Sequence, residues 1–235
     1  MNNFFHIAID GPVAAGKGTV SRIIAERLNF LYIDTGAMYR VAALLTIKNN
    51  LKFDNEDALV ALLEKSEIKM NNPVGLEKDG RLTTVIVNDK DVSWKIRTEE
   101  VGRGASIVGQ ISEVRKILVK KQQEIAQSKN VVMEGRDITY KVLPDANLKI
   151  YLTGKDFVRA NRRHMQLQSR GVDISFNQVY VDLVSRDKID MERTTDPLKI
   201  VDDAWVIDTS DLSIEQVVNL IVFKVNVMQE ALSAN

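Results

Sequence analysis

Short hydrophobic runs alternate with longer amphipathic segments along most of the chain. The short runs are rich in β-branched and aromatic residues, which predicts strands. The longer segments place apolar residues three and four positions apart, which predicts helices. The predicted strands span residues 5–9, 30–33, 131–134, 148–152 and 205–208. The first predicted helix ends near Leu28, and the last begins after residue 213. The predicted helices between them span about residues 35–48, 54–63, 98–108, 112–128, 155–170 and 175–192. This alternation predicts an α/β fold, a mostly parallel sheet flanked by helices.

Residues 68–93 have a different pattern. Turn sequences such as Asp79-Gly80 and Asn88-Asp89 separate brief alternating runs, for example residues 83–87. This pattern predicts a small antiparallel insertion. We therefore expect a core formed by residues 1–65 and 99–235, with an inserted subdomain at 66–98.

Composition and charge mainly exclude classes of function. Lys plus Arg number 32 and Asp plus Glu number 32, which argues against broad adhesion to nucleic acid or membranes. The chain has no cysteine, and its two histidines, His6 and His164, are far apart, so neither disulfides nor a histidine metal site is expected. No signal-peptide pattern or membrane-spanning run is present, which predicts a soluble, cytoplasmic protein. We expect a monomer.

The most specific local motif lies directly between the first predicted strand and helix. A polyphosphate needs several inward-pointing backbone N–H groups and the positive end of a helix dipole, which a loop of this kind supplies. Lys17 can reach the β- and γ-phosphates of ATP, and the Thr19 hydroxyl can help to hold Mg²⁺. The motif comprises Gly11, Pro12, Val13, Ala14, Ala15, Gly16, Lys17, Gly18 and Thr19.

This phosphate loop (P-loop) departs from the general motif, which has Ser or Thr directly after the lysine. Here Gly18 intervenes before Thr19, and the variant resembles the loop of nucleoside monophosphate kinases. The alternative is a turn that merely needs glycines. The strand–loop–helix context favours the phosphate loop.

Arginines are concentrated on the predicted helix at 155–170. Arg159, Arg162 and Arg163 lie near one face, and no acid occurs from Arg159 to Arg170. A solvated helix face normally intersperses acids, so this face is a candidate phosphate contact. The next helix adds the candidates Arg186, Asp190 and Arg193.

The ends of two predicted strands also carry residues that could contact a bound ligand. Thr35 and Arg40 follow the second strand, whereas Glu134, Arg136 and Asp137 follow the strand at 131–134. Open α/β sheets bind ligands at the carboxyl ends of their strands. The alternatives are a helix cap with a solvated arginine, and a charged turn with an internal ion pair.

This charge pattern suits phosphoryl transfer between two phosphate groups. The acceptor oxygen of a monophosphate is already anionic, so no strong general base is required. The difficulty is to bring two polyanions together and to stabilise the charge of the in-line transition state, which lysine, Mg²⁺ and several arginines can do. Helices that close over the site would also exclude water.

The order of these motifs resembles that of bacterial cytidylate kinases along essentially the whole chain. Besides the phosphate loop, the resemblance is carried by Asp34–Arg40, Val92–Val101, Gly135–Ile138, Arg186–Arg193 and Asp196-Pro197-Leu198. It implies a P-loop kinase core, a mobile lid at about 155–172 and an acceptor-binding region that includes the insertion. It implies ATP and Mg²⁺ as cofactors and CMP, with dCMP, as acceptors in pyrimidine nucleotide metabolism.

The resemblance also implies roles for individual side chains. The exocyclic amine of cytosine can donate to a carboxylate, and its ring nitrogen and carbonyl can accept from an arginine or a hydroxyl. Glu134 stands where many relatives carry aspartate, so the family pattern does not fix its role. The implied cytosine contacts are Ser106, Arg115 and Asp137, the acceptor-phosphate contacts are Arg40, Arg136 and Arg193, and the sugar contacts are Arg186 and Asp190.

Two alternatives remain open at this point. The same fold could phosphorylate UMP, AMP, shikimate or another small alcohol, although an alcohol acceptor would call for a dedicated carboxylate base. The chain could instead be a nucleotide-binding switch with little turnover. A GTPase switch usually carries an Asn-Lys-x-Asp segment, which this sequence lacks.

Overall fold

The computed structural model describes residues 4–169 and 171–233. The strands in this part of the chain are β1 His6–Asp10, β2 Leu31–Asp34, β3 Ile68–Asn71, β4 Thr84–Val87, β5 Lys90–Asp91, β6 Val131–Gly135, β7 Leu148–Thr153 and β8 Trp205–Asp208. The α-helices are α1 Lys17–Leu28, α2 Thr35–Lys48, α3 Glu56–Glu64, α4 Glu99–Val108, α5 Ser112–Ala126, α6 Asp156–Gln168, α7 Phe176–Glu192 and α8 Ile214–Ser233.

Five strands form a parallel sheet in the order β2-β6-β1-β7-β8. β1 lies at its centre, with His6 opposite Val131 and Ile7 opposite Leu148. The predicted α/β fold with a parallel-sheet core is confirmed. Because the strands are parallel, the carboxyl ends of β1, β2, β6 and β7 meet at one edge of the sheet, the edge at which open α/β sheets bind ligands.

Helices cover both faces of this sheet, and the strand residues alternate between the two cores. Ile7 and Ile9 pack on one face with residues of α1 and α8, such as Ile24 and Ile221. Ala8 points to the other face, where residues of α2 and α5 pack. Both faces are apolar because each is buried, which explains why the strands are continuous hydrophobic runs in the sequence.

The segment with the different sequence pattern forms a separate antiparallel sheet, β3-β4-β5. Asn88 and Asp89, with φ of 48° and 60°, form the turn between β4 and β5. Val85 is fully buried and belongs to the same core as Met38 of α2. The division into a core and an acceptor-binding subdomain stays a prediction.

The first turns of two helices are capped by side chains that lie directly before them. Asp34 caps α2, because its Oδ1 accepts a hydrogen bond from the Ala37 N–H at 3.2 Å. The prediction that Asp54 opens α3 is wrong. Asn55 caps that helix instead, with its Oδ1 3.2 Å from the Ala58 nitrogen. Within residues 4–169 and 171–233, no helix combines the length and the apolar content that a membrane span requires.

Candidate active site

The phosphate loop leaves β1 and passes close to the end of β7. A Cβ on Gly11 would lie 2.0 Å from the Leu152 carbonyl oxygen, so this position requires glycine. Asp10, at the end of β1, is fully buried and accepts hydrogen bonds from the Ile138 and Thr139 N–H groups at 3.0 and 2.8 Å. The start of the loop is therefore fixed between β7 and the turn that follows β6.

The departure from the general P-loop motif has a physical reason here. A Cβ at Gly18 would lie 3.1 Å from Glu134 Oε1 and 3.4 Å from the Tyr32 hydroxyl. Tyr32 donates to that same carboxylate oxygen at 3.0 Å. Glycine at this position lets the Glu134 carboxylate lie against the first turn of α1, beside the exposed Thr19.

Lys17 is almost fully buried at the start of α1. Its amine donates to the carbonyl oxygens of Gly11 and Pro12 at 2.7 and 2.8 Å. Burial, assisted by the nearby guanidinium of Arg136, lowers the pKa of the Lys17 amine to about 7. The amine is thus held beside the loop and titrates near neutral pH.

A cavity of about 870 Å³ opens at the carboxyl edge of the sheet, above the phosphate loop. It brings together most of the residues predicted from the sequence. Gly11, Pro12 and Arg159 are buried and do not line it, and Arg170 lies outside the described residues. The predicted residues that line it are Val13, Ala14, Ala15, Gly16, Lys17, Gly18, Thr19, Thr35, Arg40, Ser106, Arg115, Glu134, Arg136, Asp137, Arg162, Arg163, Arg186, Asp190 and Arg193.

Arg115 and Asp137 form a buried ion pair at the far side of the cavity. The same guanidinium donates from Nε to Asp196 Oδ2 at 2.9 Å, and its central carbon lies 5.4 Å from the centre of the Tyr39 ring. Burial raises the pKa of the Asp137 carboxyl, and Arg115 opposes that rise. Ser106 is exposed to the cavity on α4.

Asp190 connects two of the predicted arginines. Its Oδ2 accepts from Arg136 Nε at 2.7 Å, and its Oδ1 lies 3.8 Å from Arg193 Nη1. Burial works against the charge of Arg136, but Asp190, Glu134 and Asp187 together outweigh burial, so the pKa of Arg136 is raised. Arg193 also donates from Nε to the Asp196 carbonyl oxygen at 2.7 Å.

Arg40 and Arg186 are in a different electrostatic situation. Desolvation lowers the pKa of Arg40 most strongly, and the nearby charge of Arg97 lowers it further. Arg186 and Arg163 make smaller contributions in the same direction. Desolvation and then Arg136 lower the pKa of Arg186. These guanidinium groups repel one another across the cavity, so an anion placed between them would be stabilised.

The arginines of α6 do not share one role. Arg162 donates to the Thr209 hydroxyl and carbonyl oxygens at 2.9 and 2.6 Å, and Arg163 donates to Gln166 Oε1 at 2.7 Å. Both line the cavity. Arg159 is 3% exposed and donates to carbonyl and carboxylate groups behind the phosphate loop.

One basic residue at the site was missed by the sequence reasoning. Arg97 lines the cavity and donates to Asp34 Oδ2 at 3.0 Å. Arg97 lies within the segment Val92–Val101, so a search for basic residues in that motif could have found it. Thr35, a candidate ligand contact from the sequence, lines the cavity, and its hydroxyl donates to the Glu134 carbonyl oxygen at 2.8 Å.

The chain is similar to known proteins along most of its length. The sequence model of the cytidylate kinase family matches residues 7–227. Cytidylate kinase from Shouchella clausii is 44% identical over 217 residues, covering 92% of this chain and 94% of that protein. Cytidylate kinase from Caldanaerobacter subterraneus is 44% identical over 212 residues, covering 90% of each chain.

One solved structure supports the fold alone. It is an uncharacterized protein from Eubacterium ventriosum, 12% identical, with a TM-score of 0.50 over 94% of this chain and 98% of that chain. The assignment to a family therefore rests on the sequence matches. These matches agree with the resemblance that the sequence motifs indicated. This chain belongs to the cytidylate kinase family.

Proposed function

We propose that this protein transfers the γ-phosphate of ATP to CMP, and to dCMP, giving ADP and the corresponding diphosphate. The family to which the chain belongs supports the reaction. The observation that carries the assignment of the site is the group of arginines that line the cavity beside the phosphate loop, among which desolvation and neighbouring guanidiniums lower the pKa of Arg40 and Arg186. Such a group is stabilised by a bound phosphate.

The donor nucleotide binds with its phosphates on the phosphate loop. The N-terminus of α1 supplies backbone N–H groups, and Lys17 supplies a titratable amine at the same place. The donor set fits Mg²⁺, because this ion prefers oxygen ligands and keeps several waters and phosphate oxygens. The hydroxyl of the exposed Thr19 would hold the ion, together with the Glu134 carboxylate that lies against the neighbouring Gly18. Bound there, Mg²⁺ neutralises phosphate charge.

The acceptor phosphate binds between Arg40, Arg136 and Arg193, and the sugar lies beside Arg186 and Asp190. Asp190 holds Arg136 in place through the hydrogen bond to its Nε. The acceptor oxygen is anionic already, so these residues align and neutralise it and do not need to remove a proton. Arg162 and Arg163 of α6 close the cavity over the phosphates and exclude water.

The Arg115–Asp137 pair and Ser106 read the base. A carboxylate accepts from the exocyclic amine of cytosine, whereas uracil presents a carbonyl oxygen at that position. If UMP bound here, the uracil carbonyl oxygen and the Asp137 carboxylate would face each other, and both are hydrogen-bond acceptors. A site built on buried hydrogen bonds discriminates strongly against a substrate that leaves them unpaired.

The test is an ADP-release assay with ATP and four acceptors, CMP, dCMP, UMP and AMP, compared at equal concentrations. We expect the values of kcat/KM for CMP and dCMP to exceed those for UMP and AMP by roughly tenfold or more. A preference for UMP or AMP would contradict the assignment of the base-reading residues. Tight ATP binding without ADP production from any acceptor would favour a switch.

A further inference from the structure

Val13, in the phosphate loop, is held through both of its backbone polar groups by side chains from two other helices. Its N–H donates to Asp187 Oδ1 of α7 at 2.8 Å. Its carbonyl oxygen accepts from Arg159 Nη1 of α6 at 2.7 Å. The same Nη1 donates to Asp187 Oδ2 at 2.5 Å. The two side chains and the backbone N–H and carbonyl groups of Val13 therefore form one closed hydrogen-bond network.

This network is buried and its arginine is fully engaged. Arg159 is 3% exposed and Asp187 is 5% exposed. The other Arg159 nitrogens donate to the Gly154 carbonyl oxygen at 2.9 Å and to Asp156 Oδ1 at 2.7 Å. All three guanidinium nitrogens therefore have protein acceptors, and the guanidinium supports the loop from behind the cavity.

The residues on either side of Val13 show what the network stabilises. Ala14 has a φ of 57°, a left-handed conformation that is uncommon for a residue with a Cβ. Pro12, on the other side, offers its carbonyl oxygen to the Lys17 amine. A shift of the Val13 peptide would therefore alter both the strained turn and the position of the amine.

We propose that Asp187, acting with Arg159, is a positioning residue that fixes the phosphate loop for the donor nucleotide. It does not touch the phosphates itself. It holds the Val13 peptide, and through that peptide the loop that binds them. The inference rests on the proposed function, because it assumes that ATP binds at this loop and CMP at the other side of the cavity.

Asp187→Asn is the direct test. The substitution keeps the size of the side chain and one acceptor oxygen, but removes the negative charge that faces Arg159. Losing a charged hydrogen bond in a buried network should raise the KM for ATP by roughly tenfold or more. The KM for CMP should stay within about twofold, because the Arg115–Asp137 pair is not involved.

Two matched variants separate positioning from a general loss of stability. Leu183→Ala removes a buried side chain one turn earlier on α7, so it should lower the midpoint of thermal unfolding but leave the KM for ATP within about twofold. Asp137→Asn should show the opposite split, with the KM for CMP raised more than that for ATP. Equal rises of both constants in Asp187→Asn would overturn the proposal.

Calorimetric titration with ADP, in the absence of CMP, gives a second readout. Asp187→Asn should bind ADP more weakly than the wild type, and Arg159→Lys should do the same. The double variant should lose less than the two single variants predict together, because both act on one network. Unchanged ADP binding in either single variant would contradict the inference. If wild type binds ADP but does not phosphorylate CMP, the proposed acceptor fails and the test of the loop still stands.

Discussion

Lys17 combines burial, two backbone hydrogen bonds and a pKa near neutrality. Its ordinary pKa of 10.5 falls to about 7 because burial penalises the charged amine. A polyphosphate beside the amine would act in the opposite direction, since a nearby negative charge favours the protonated form. We therefore expect binding of ATP, the proposed donor, to be coupled to protonation of Lys17.

We predict that ATP binding at pH 8 takes up about one proton. At that pH the amine of the free protein is mostly neutral, whereas in the complex it is charged. The uptake should diminish below pH 7, where the amine is protonated before ATP arrives. Calorimetric titrations in two buffers with different ionisation enthalpies would measure it.

Lys17→Arg is the matched variant for this prediction, because a guanidinium stays charged and cannot take up the proton. The same uptake in Lys17→Arg as in wild type would show that another group titrates. In the activity assay, Lys17→Ala should lower kcat by about 10²–10³-fold, the loss typical of removing one electrostatic contact to the transition state. Lys116→Ala, on an exposed part of α5, should not.

At the scale of single elements, α8 has the most complete capping of its first turn. Ser213 Oγ accepts from the Gln216 N–H at 3.2 Å, and Gln216 Oε1 accepts from the Ser213 N–H at 2.8 Å. This is the reciprocal arrangement of a capping box. The same turn lines the cavity.

Ser213→Ala should lower the free energy of unfolding by about 1 kcal/mol, because it leaves an N–H at the helix start without its acceptor. Urea denaturation followed by circular dichroism would measure the change. Ser233→Ala, at the exposed end of the same helix, should change stability by less than about 0.5 kcal/mol. Equal losses in the two variants would argue that the cap contributes nothing specific.

Periodicity predicted the elements well and the partners of individual side chains poorly. The strands of the main sheet, their parallel arrangement and the arginines of α6 that reach the cavity follow from local patterns in the sequence, whereas Arg97 was missed. The bond between Val13 and Asp187 joins residues 174 positions apart, and Arg115 and Asp196 are 81 positions apart. No local pattern specifies such pairs, because they depend on how elements pack after the chain folds.

The same limit explains the role of Arg159. Helical spacing predicted that Arg159 lies near one face of α6 with Arg162 and Arg163, but only the latter two line the cavity. Spacing could not show that the loop lies directly against Arg159 and covers its guanidinium. Its predicted contact with the transferred phosphate stays a prediction, as do the other ligand contacts.

At the scale of the whole molecule, the two sheets share one hydrophobic core. Ile68 and Val85 of the small sheet belong to the same cluster as Met38 and other residues of α2. Asn72 adds polar links, since its side chain pairs with the Tyr32 nitrogen at 2.9 Å and the Phe30 oxygen at 2.7 Å. We therefore expect the insertion and the main sheet to unfold together.

The two tryptophans allow this prediction to be measured. Trp94 lies just after the small sheet, and Trp205 lies in β8 of the main sheet. Trp205→Phe leaves a fluorescence probe near the insertion, and Trp94→Phe leaves one in the main sheet. The two urea transitions should coincide with that seen by circular dichroism. An earlier transition at Trp94 would show that the insertion is an independent unit.

Because the arginines concentrate positive charge around the cavity, the rest of this neutral chain carries a net negative charge. Among the described residues, nine basic and four acidic side chains line the cavity, a surplus of five when Lys17 is protonated. The net charge of the chain is zero, so all other residues together carry a net charge of minus five. The molecule is thus an electric dipole with its positive pole in the cleft. Free nucleotides are drawn toward that pole and repelled from the remaining surface, so their association should slow as ionic strength rises.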